Sequence, residues 1–416
     1  MHLQNNNRTI CGFRARIQSN QQGKVGGEDG GLRVRHIYKS DRENLPLVTV
    51  ITVCLNSERT LQQCMESVFA QTYRNIEYII IDGASSDGTV GLIKQYAHQL
   101  DYFISEPDSG LYDAFNKGIS LAAGSYILLL NSDDWYEPSC IEKLVTEALK
   151  GEVDIVSALA RYVNDKGEEQ FITPVLQLDA STLFRNPLRH ETMLIPAWVY
   201  EKFGPYDLRY KIIADFHFII KLYEAKIRHR TIPLPLLNFR NSGVSSTAMS
   251  ALVQERFALL QEQFPYIQPN DLRTIADLQN LSRQKAQEIL FRNHLFEKFH
   301  SGFIELMKSK WRISEGELEK YAFIHRRRRK FRVETFCTNA GGGAGIGSVR
   351  RVEALRAIGV DIGLNAIFVP EAGEANRLQR ANGVEITSEE LVSSRAFLMR
   401  RNVKSFAANE LFTSTH

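Results

Sequence analysis

The sequence predicts an α/β fold built around a mainly parallel sheet, and residues 46–150 carry the observations behind this prediction. Short apolar runs alternate there with longer stretches of helical periodicity. The expected strands lie at 48–55, 78–81, 102–105 and 126–130, and the expected helices at 60–71, 89–100, 114–123 and 138–150. This alternation is typical of parallel strands joined by crossover helices. Two adjacent acids, Asp133 and Asp134, closely follow the fourth run, and such folds bind ligands at the carboxyl ends of their strands.

The segments that follow are more mixed. Strands expected at 154–162 and 169–173 flank a turn-forming sequence at 164–167, which predicts a hairpin. Helices are expected at 198–203 and 215–225. From about residue 250 the chain is helical and polar, with an apolar stripe formed by Ile289, Phe296, Phe299, Phe303 and Leu306.

Composition divides the chain into four parts. We expect a mostly disordered leader at 1–45, an α/β domain at 46–248, a helical extension at 249–330 and a partial β-α-β segment at 331–416. The last segment contains the glycine cluster 341–347. It cannot form a domain alone, because a parallel sheet needs more strands to bury both faces.

The overall composition excludes several classes of protein. A chain of 416 residues that is 44% hydrophobic and 24% charged is globular and long enough for more than one domain. A net charge of +3 gives no strong electrostatic case for nucleic acid. Five cysteines without CxxC spacing indicate a reducing compartment and neither a disulfide framework nor a zinc site. Without a membrane-length apolar run or a signal-peptide core, we expect a cytoplasmic protein that is soluble or peripheral at the membrane.

Asp133 and Asp134 are the candidates for a metal site. They follow a strand that we expect to be buried, where two carboxylates are costly unless a cation accompanies them. Hard ions such as Mg²⁺ and Mn²⁺ prefer carboxylate oxygens, and they neutralise a diphosphate. The alternative is a polar loop that precedes the helix beginning near Ser139. The position behind a leucine-rich strand favours the metal.

Polar side chains near the ends of the first two strands are candidates for ligand contacts. Asp82 follows the strand at 78–81 and opens a loop of small residues, where a carboxylate can accept hydrogen bonds from a base or ribose. A turn-forming role explains Asp82 equally well. Asn56 and Glu58 follow the first strand, where on their own they would cap a helix. Asp87 is interpreted as the cap of the helix that follows it.

Asp215 is the candidate general base. It lies between apolar residues at the start of an expected helix. Partly apolar surroundings would keep a carboxylate basic enough to take a proton from a hydroxyl group. A helix N-cap is the alternative interpretation. His190 is a candidate for lining the cleft of a second substrate, although we favour a structural histidine there.

Taken in order, these segments resemble the family 2 glycosyltransferases of GT-A fold. Residues 81–89 match the Asp-Gly-Ser-Thr-Asp-Gly-Thr loop of that family. Residues 106–118 match a segment frequent in a bacterial branch that builds surface polysaccharides. Residues 131–134 take the place of the metal-binding DxD motif. The resemblance covers roughly residues 46–245.

Two positions depart from the family pattern. Residues 53–56 stand where the family has its first-strand Tyr-Asn signature, with Leu55 replacing the tyrosine. Ala214 and Asp215 take the place of the catalytic Glu-Asp pair, with alanine replacing the first acid. The second departure removes a helper acid and leaves the expected base.

The resemblance implies a nucleotide-diphospho-sugar transferase with a Rossmann-like GT-A sheet and an inverting single displacement. Asp215 would deprotonate an acceptor hydroxyl as it attacks the donor sugar. Mn²⁺ or Mg²⁺ on Asp134, assisted by Asp133, would offset the charge of the departing diphosphate. The residues implied to contact the nucleotide sugar are Asn56, Glu58, Asp82, Lys117 and Asp133.

The resemblance also implies partners. The expected donor is a UDP-, GDP- or dTDP-sugar, and the expected acceptor is a glycan or lipid-linked hydroxyl in bacterial surface polysaccharide synthesis. We expect no nucleic acid partner and a possible peripheral contact with the membrane. A nucleotide-sugar pyrophosphorylase is one alternative, although 53–60 lacks its glycine-rich loop with Arg and Lys. A binding or scaffold protein without catalysis is the other, and Leu55 and Ala214 keep it open.

The C-terminal part has its own resemblance. Residues 332–369 are similar to the opening strand, glycine loop and first helix of a GT-B glycosyltransferase, which suggests a second module that was truncated or has decayed. The cluster at 341–347 does not fit GxGxxG, so a dinucleotide fingerprint is not indicated. A glycine loop before a helix could receive a phosphate, and a loop that tolerates tight turns is equally probable. The basic run at 325–330 could touch anionic lipid, while a solvated linker face is the more frequent explanation.

Overall fold

The structure is a computed structural model that describes residues 27–241, 248–293, 297–311 and 313, and two short strands near the C-terminus. It separates into two compact units, divided between Leu259 and Leu260. This division lies inside the helix Met249–Gln263, whereas we expected a boundary at the start of that helix. The glycine cluster, the basic run and the expected strands and helix of the GT-B-like segment lie outside the described residues.

The first unit alternates strands and helices along the chain. Its strands are β1 (Glu28–Gly30), β2 (Val48–Cys54), β3 (Ile76–Asp82), β4 (Tyr102–Ser105), β5 (Tyr126–Asn131), β6 (Trp135–Tyr136), β7 (Ile155–Val163), β8 (Glu169–Ile172), β9 (Ile195–Pro196) and β10 (His229–Arg240). Its helices are α1 (Leu61–Phe69), α2 (Thr89–Tyr96), α3 (Leu111–Leu121), α4 (Cys140–Ala148), α5 (Ala197–Phe203), α6 (Ala214–Glu224) and the first part of α7 (Met249–Gln263).

These strands form two sheets. The larger has the order β1-β4-β3-β2-β5-β9, in which β2, β3, β4 and β5 run parallel and the two edge strands run antiparallel. The smaller has the order β6-β10-β7-β8, and β7 and β8 form the predicted hairpin. The prediction of an α/β fold with a mainly parallel sheet is therefore confirmed.

The register of the large sheet brings the predicted site residues to one edge. Every residue of β2 is buried, as expected for a central strand covered on both faces. In this register Cys54 of β2 pairs with Asp82 of β3, and Val53 pairs with Asn131 of β5. The loops that follow these three strands therefore begin side by side.

The expected disorder of the leader is wrong for its second half. Residues 28–30 form β1 on the edge of the sheet, and Arg33 is buried. The Arg33 guanidinium pairs with buried Glu77 and donates to the Leu121 carbonyl over 2.8 Å. Composition did not reveal this order, because the partners lie far along the sequence. Residues 1–26 lie outside the described part of the chain.

Strand β10 was missed because its sequence contains Pro233 and Pro235. Proline cannot donate a ladder hydrogen bond and normally indicates an edge or a bulge. Here β10 pairs with β7 on one side and β6 on the other, and its register with β7 shifts around Pro235. The bulge accommodates the prolines within an interior strand.

The second unit is helical in its described part, as predicted. Its helices are α8 (Pro269–Ala276), α9 (Arg283–Arg292) and α10 (Glu297–Trp311), followed only by the short strands β11 (Leu378–Gln379) and β12 (Glu385–Ile386). Ile289, Phe299, Phe303 and Leu306 of the predicted stripe are buried, and Phe264 packs edge-on against Phe299 with ring centroids 5.4 Å apart. Within the described residues, the helices are all too short or too polar to cross a lipid bilayer.

Helix α3 approaches the sheet closely at Gly118. A Cβ atom built there would lie 2.3 Å from Cγ2 of Ile51 in β2, whereas one built at Gly91 in α2 would meet nothing within 4 Å. We expect Gly118→Ala to lower the free energy of unfolding by about 1–3 kcal/mol through overpacking. The matched change Gly91→Ala should raise it by about 0.5–1 kcal/mol through helix propensity. Urea denaturation of both variants measures the difference, and equal effects would contradict the close approach.

Candidate active site

Side-chain hydrogen bonds join the loops that follow β2, β3 and β5. Asn56 adopts a left-handed conformation with φ of 51°, and its Oδ1 accepts from the Ser86 backbone N–H over 2.9 Å. The Ser57 and Ser132 hydroxyls lie 2.8 Å apart. The three sequence motifs on these loops therefore form one surface at the carboxyl edge of the sheet.

Asp82 lies beneath this surface and is fully buried. One carboxylate oxygen accepts from the Ser85 hydroxyl over 2.5 Å, and the other accepts from the Ser105 hydroxyl over 2.7 Å and from the Ser85 N–H over 2.9 Å. The carboxylate thus fixes the loop after β3. A contact between Asp82 and a nucleotide stays a prediction.

Two other predicted contact residues have structural partners. Glu58 accepts from the Gly88 N–H over 3.1 Å, and the neighbouring Asp87 accepts from the Thr89 N–H over 3.0 Å. The N-cap of α2 is Gly88, so Asp87 lies one residue before the position expected for it. Lys117 pairs with Glu106 over 2.8 Å and so supports the loop that follows β4. Nucleotide contacts by Glu58 and Lys117 stay predictions.

An acidic cluster forms at the end of β5. Asp134 and Glu191 are buried and Asp133 is half-buried. The Asn131 amide holds two of these acids together, because its Nδ2 donates to Glu191 Oε1 over 2.8 Å and to Asp134 Oδ2 over 3.3 Å. Burial, followed by repulsion from Asp133 and Glu191, raises the pKa of Asp134 well above its ordinary value. Burial and the Glu191 charge raise the pKa of Asp133 as well.

Arg240, at the end of β10, was not found by sequence reasoning. Its backbone N–H donates to Asp134 Oδ1 over 2.9 Å, and its Nε donates to the Asp133 carbonyl over 3.2 Å. Its guanidinium also lies over the Trp135 ring, 5.1 Å from the centroid. Arg240 therefore holds both aspartates from a strand more than 100 residues away, and no local pattern signals such a contact.

The Asp215 carboxylate lies in the first turn of α6 and does not cap it. Its Oδ1 accepts from the Tyr112 hydroxyl and its Oδ2 from the Asn186 amide, both over 2.8 Å. His190 Nδ1 lies 3.5 Å from Oδ2. Burial acts to raise the pKa of Asp215, but the His190 and Tyr112 interactions outweigh it and hold the pKa below its ordinary value. The expectation of a carboxylate made basic by apolar surroundings is therefore wrong.

His190 connects the two groups of acids. It is buried, with Nε2 3.7 Å from Glu191 Oε1 and Nδ1 facing Asp215. Burial lowers the pKa of His190, but the charges of Glu191 and Asp215 more than compensate, so that the pKa is raised. An unbroken series of contacts thus runs from Asp134 through Asn131, Glu191 and His190 to Asp215. We call this series the acid–histidine relay, a name that refers to position only.

A second residue missed by sequence reasoning, Glu255, secures the segment before Asp215. The Glu255 carboxylate accepts from the backbone N–H groups of Lys211, Ile212 and Ile213 over 2.7, 2.9 and 3.2 Å. It lies on α7, outside the motif-bearing region. These bonds fix the backbone that delivers Asp215 to its partners.

The acidic cluster fits a divalent ion shared with phosphate. Among the described residues, no group of three or more His, Cys, Asp and Glu side chains is arranged to hold a metal alone. Mg²⁺ commonly takes one or two protein carboxylates and completes its shell with substrate phosphates and water. Within the same part of the chain, Glu191 Oε2 and Asn131 Oδ1 are buried without a hydrogen-bond partner. These oxygens and the raised pKa values of Asp133 and Asp134 indicate a place where a cation is favourable.

The raised pKa of His190 predicts a pH-dependent stability. A histidine whose pKa rises on folding stabilises the protein below its unfolded value of about 6.5, and this contribution is lost as pH rises through the folded pKa. In metal-free protein, wild type should therefore have a higher free energy of unfolding than His190→Gln. This difference should be larger at about pH 6 than at about pH 9. Urea titrations measure this, with exposed His98→Gln as control. A difference that grows with pH would contradict the pairing.

Sequence comparison identifies proteins that are similar to this chain. The family model described as glycosyl transferase family 2 matches residues 49–203. An uncharacterised glycosyltransferase of Mycobacterium tuberculosis is 32% identical over 228 residues, which cover 53% of this chain and 86% of that protein. A PGL/p-HBAD biosynthesis glycosyltransferase of Mycobacterium bovis is 30% identical over 187 residues, covering 43% of this chain and 70% of that protein.

A crystal structure of S. aureus TarS residues 1–349 in complex with UDP-GlcNAc has a TM-score of 0.44 and 14% identity. It covers 63% of this chain and 90% of that chain. The sequence similarity to the mycobacterial proteins extends over most of their length, and the matched family region coincides with the α/β sheet and the acidic cluster. The chain therefore belongs to glycosyl transferase family 2 and is a glycosyltransferase.

Proposed function

We propose that this glycosyltransferase moves a sugar from a nucleotide-diphosphate sugar to an acceptor hydroxyl by a metal-dependent, inverting single displacement. The observation that carries the proposal is the acid–histidine relay, which joins the acidic cluster at 133–134 to Asp215. An inverting transfer requires a cation at the departing diphosphate and a proton acceptor at the attacking hydroxyl. The relay connects a candidate for each. The glycan product belongs to a bacterial surface polysaccharide or glycolipid, in keeping with the mycobacterial relative named for PGL/p-HBAD biosynthesis.

The metal would rest mainly on Asp133. Asp134 is buried, and each of its carboxylate oxygens already accepts a hydrogen bond, from the Arg240 N–H or the Asn131 amide. Asp133 is the more accessible of the two and so offers an oxygen to Mn²⁺ or Mg²⁺. From the sequence we expected Asp134 to be the main metal ligand and Asp133 to assist it, and these roles are now reversed. When bound, the ion would neutralise charge on the departing nucleoside diphosphate.

Asp215 would receive the proton. The acceptor oxygen bonds to the anomeric carbon as the bond from that carbon to the diphosphate oxygen breaks, and the hydroxyl proton passes to the carboxylate. A lowered pKa keeps Asp215 ionised at neutral pH but limits its strength as a base. Tyr112 and Asn186 orient the carboxylate for this step.

The rival proposal is a nucleotide-sugar-binding protein without catalysis. Ala214, which replaces the first acid of the family pair, is fully buried. The role of a helper acid is therefore absent at that position, while Asp215 keeps three polar neighbours. This set of partners favours the enzyme, because a binder has no need of an oriented carboxylate.

Asp215→Asn tests the proposed base. Asparagine keeps the shape but cannot accept the proton, so kcat for transfer should fall about a hundred- to ten-thousand-fold. Donor affinity should change little, because Asp215 lies at the acceptor end. A thermal-shift screen of UDP-, GDP- and dTDP-sugars with Mn²⁺ identifies the donor, and steady-state kinetics then compares the variant with wild type. Unchanged kcat in the variant, or no donor turnover by wild type, would favour the binder.

Asp133→Asn tests the proposed metal ligand. We expect it to abolish the Mn²⁺-dependent part of nucleoside diphosphate binding, measured by isothermal titration calorimetry with and without EDTA. The matched control is Asp165→Asn, which removes one charge in the exposed turn between β7 and β8. Equal Mn²⁺ dependence in both variants would contradict a metal site at Asp133.

A further inference from the structure

A cavity of about 210 Å³ lies beside the proposed base. It opens between β7, β10 and the segment at 173–189, and both apolar and polar residues line it. The wall residues that matter here are Leu159, Tyr162, Asn186, Leu188 and Arg189. A cavity of roughly 150 Å³ is enough for benzene, so this one admits a single six-membered ring with one substituent.

Arg189 gives the cavity a positive charge. Its guanidinium carbon lies 5.1 Å from the centre of the Tyr162 ring and 4.6 Å from that of Phe239. No carboxylate of the described residues pairs with Arg189, whereas Arg161, Arg228 and Arg230 each contact at least one acid. The aromatic rings hold the guanidinium plane and leave its N–H groups for another partner.

Asn186 connects the cavity to the reaction centre. Its side chain lines the cavity and donates to Asp215 Oδ2 over 2.8 Å, while its own Oδ1 accepts from the Leu188 N–H over 3.1 Å. A molecule in the cavity therefore lies one side chain away from the proposed proton acceptor. From Asp215 the acidic cluster lies beyond His190 and Glu191, so the cavity adjoins the acceptor end of the site.

We infer that this cavity binds the acceptor through a ring-sized group, and that Arg189 binds an oxyanion carried by that group. The inference rests on the proposed function, because it takes Asp215 as the base. A planar guanidinium pairs with carboxylates and phosphates through two parallel hydrogen bonds, and both oxyanions match Arg189. The acceptor is thus an acidic molecule, with a carboxylate or a phosphate near its reacting hydroxyl.

Binding of small probes tests the inference without knowledge of the natural acceptor. Benzoate and phenyl phosphate present the two oxyanions on one ring, and benzamide is a neutral molecule of similar shape. With the full chain, the Kd of at least one oxyanion should be about tenfold lower than that of benzamide, as expected for a charged hydrogen bond. Preference for benzoate assigns a carboxylate, and preference for phenyl phosphate assigns a phosphate. Calorimetry or ligand-observed NMR provides the values.

Variants locate the binding. Arg189→Met keeps an apolar stem against the rings and should reduce the oxyanion preference to about twofold or less. The control Arg228→Met removes a mostly exposed arginine paired with Asp154 and should keep the preference. Leu159→Trp fills the cavity and should weaken the binding of all three probes. This variant tests whether the probes bind in the cavity even if Arg189→Met does not fold.

Donor hydrolysis with Mn²⁺ separates this inference from the proposed function. Donor KM is compared between Arg189→Met and the control Arg228→Met, which lies outside the cavity and should keep the wild-type value. A donor KM raised in Arg189→Met alone would overturn the inference and assign Arg189 to the donor diphosphate. Oxyanion preference that survives in Arg189→Met would also overturn it. Absence of donor hydrolysis in wild type counts against the proposed function alone, since probe binding is scored separately.

Discussion

Two buried acids, the half-buried Asp215 and one buried histidine lie in a continuous line, and this arrangement is the constraint on which the rest of the structure depends. Charges removed from water are costly unless they are paired and hydrogen-bonded. The Asn131 amide meets this requirement on one side by donating to both Asp134 and Glu191. On the other side His190 lies 3.7 Å from Glu191 and 3.5 Å from Asp215. A change at either end therefore alters the electrostatic environment of the other.

The scaffold meets this constraint with contacts between distant parts of the chain. Parallel pairing of β2 with β3 and β5 sets the three site loops side by side. The close packing of α3 at Gly118 accompanies the placement of Tyr112, at the start of the same helix, against Asp215. Strand β10 delivers Arg240 to Asp134, and α7 delivers Glu255 to the turn before Asp215. Each partner comes from a different secondary structure element, so the site is a property of the whole first unit.

Local sequence patterns predicted the features that depend on residues close together in the sequence. The alternation of apolar runs gave the parallel sheet and its strands, and the position of Asp133 after β5 gave the acidic edge. The sequence could not reveal the partners of Asp215, because Tyr112, Asn186 and His190 lie 25 to 103 residues away and show no spacing rule. The same limit explains the error about Asp215 basicity, since its lowered pKa comes from these partners. Composition hid the ordered structure of residues 28–45, and prolines hid strand β10. In both cases pairing with distant parts of the chain outweighs the local pattern.

The central claim is that a divalent ion binds at Asp133 next to the acid–histidine relay. Paramagnetic broadening by Mn²⁺ measures this most directly, with the His190 imidazole signals assigned by their loss in His190→Gln. In the presence of a nucleoside diphosphate, substoichiometric Mn²⁺ should broaden the His190 signals selectively. Asp133→Asn should abolish this broadening, and diamagnetic Mg²⁺ should leave the signals sharp. His190 signals that stay sharp while Mn²⁺ broadens histidines elsewhere in the chain would contradict the account.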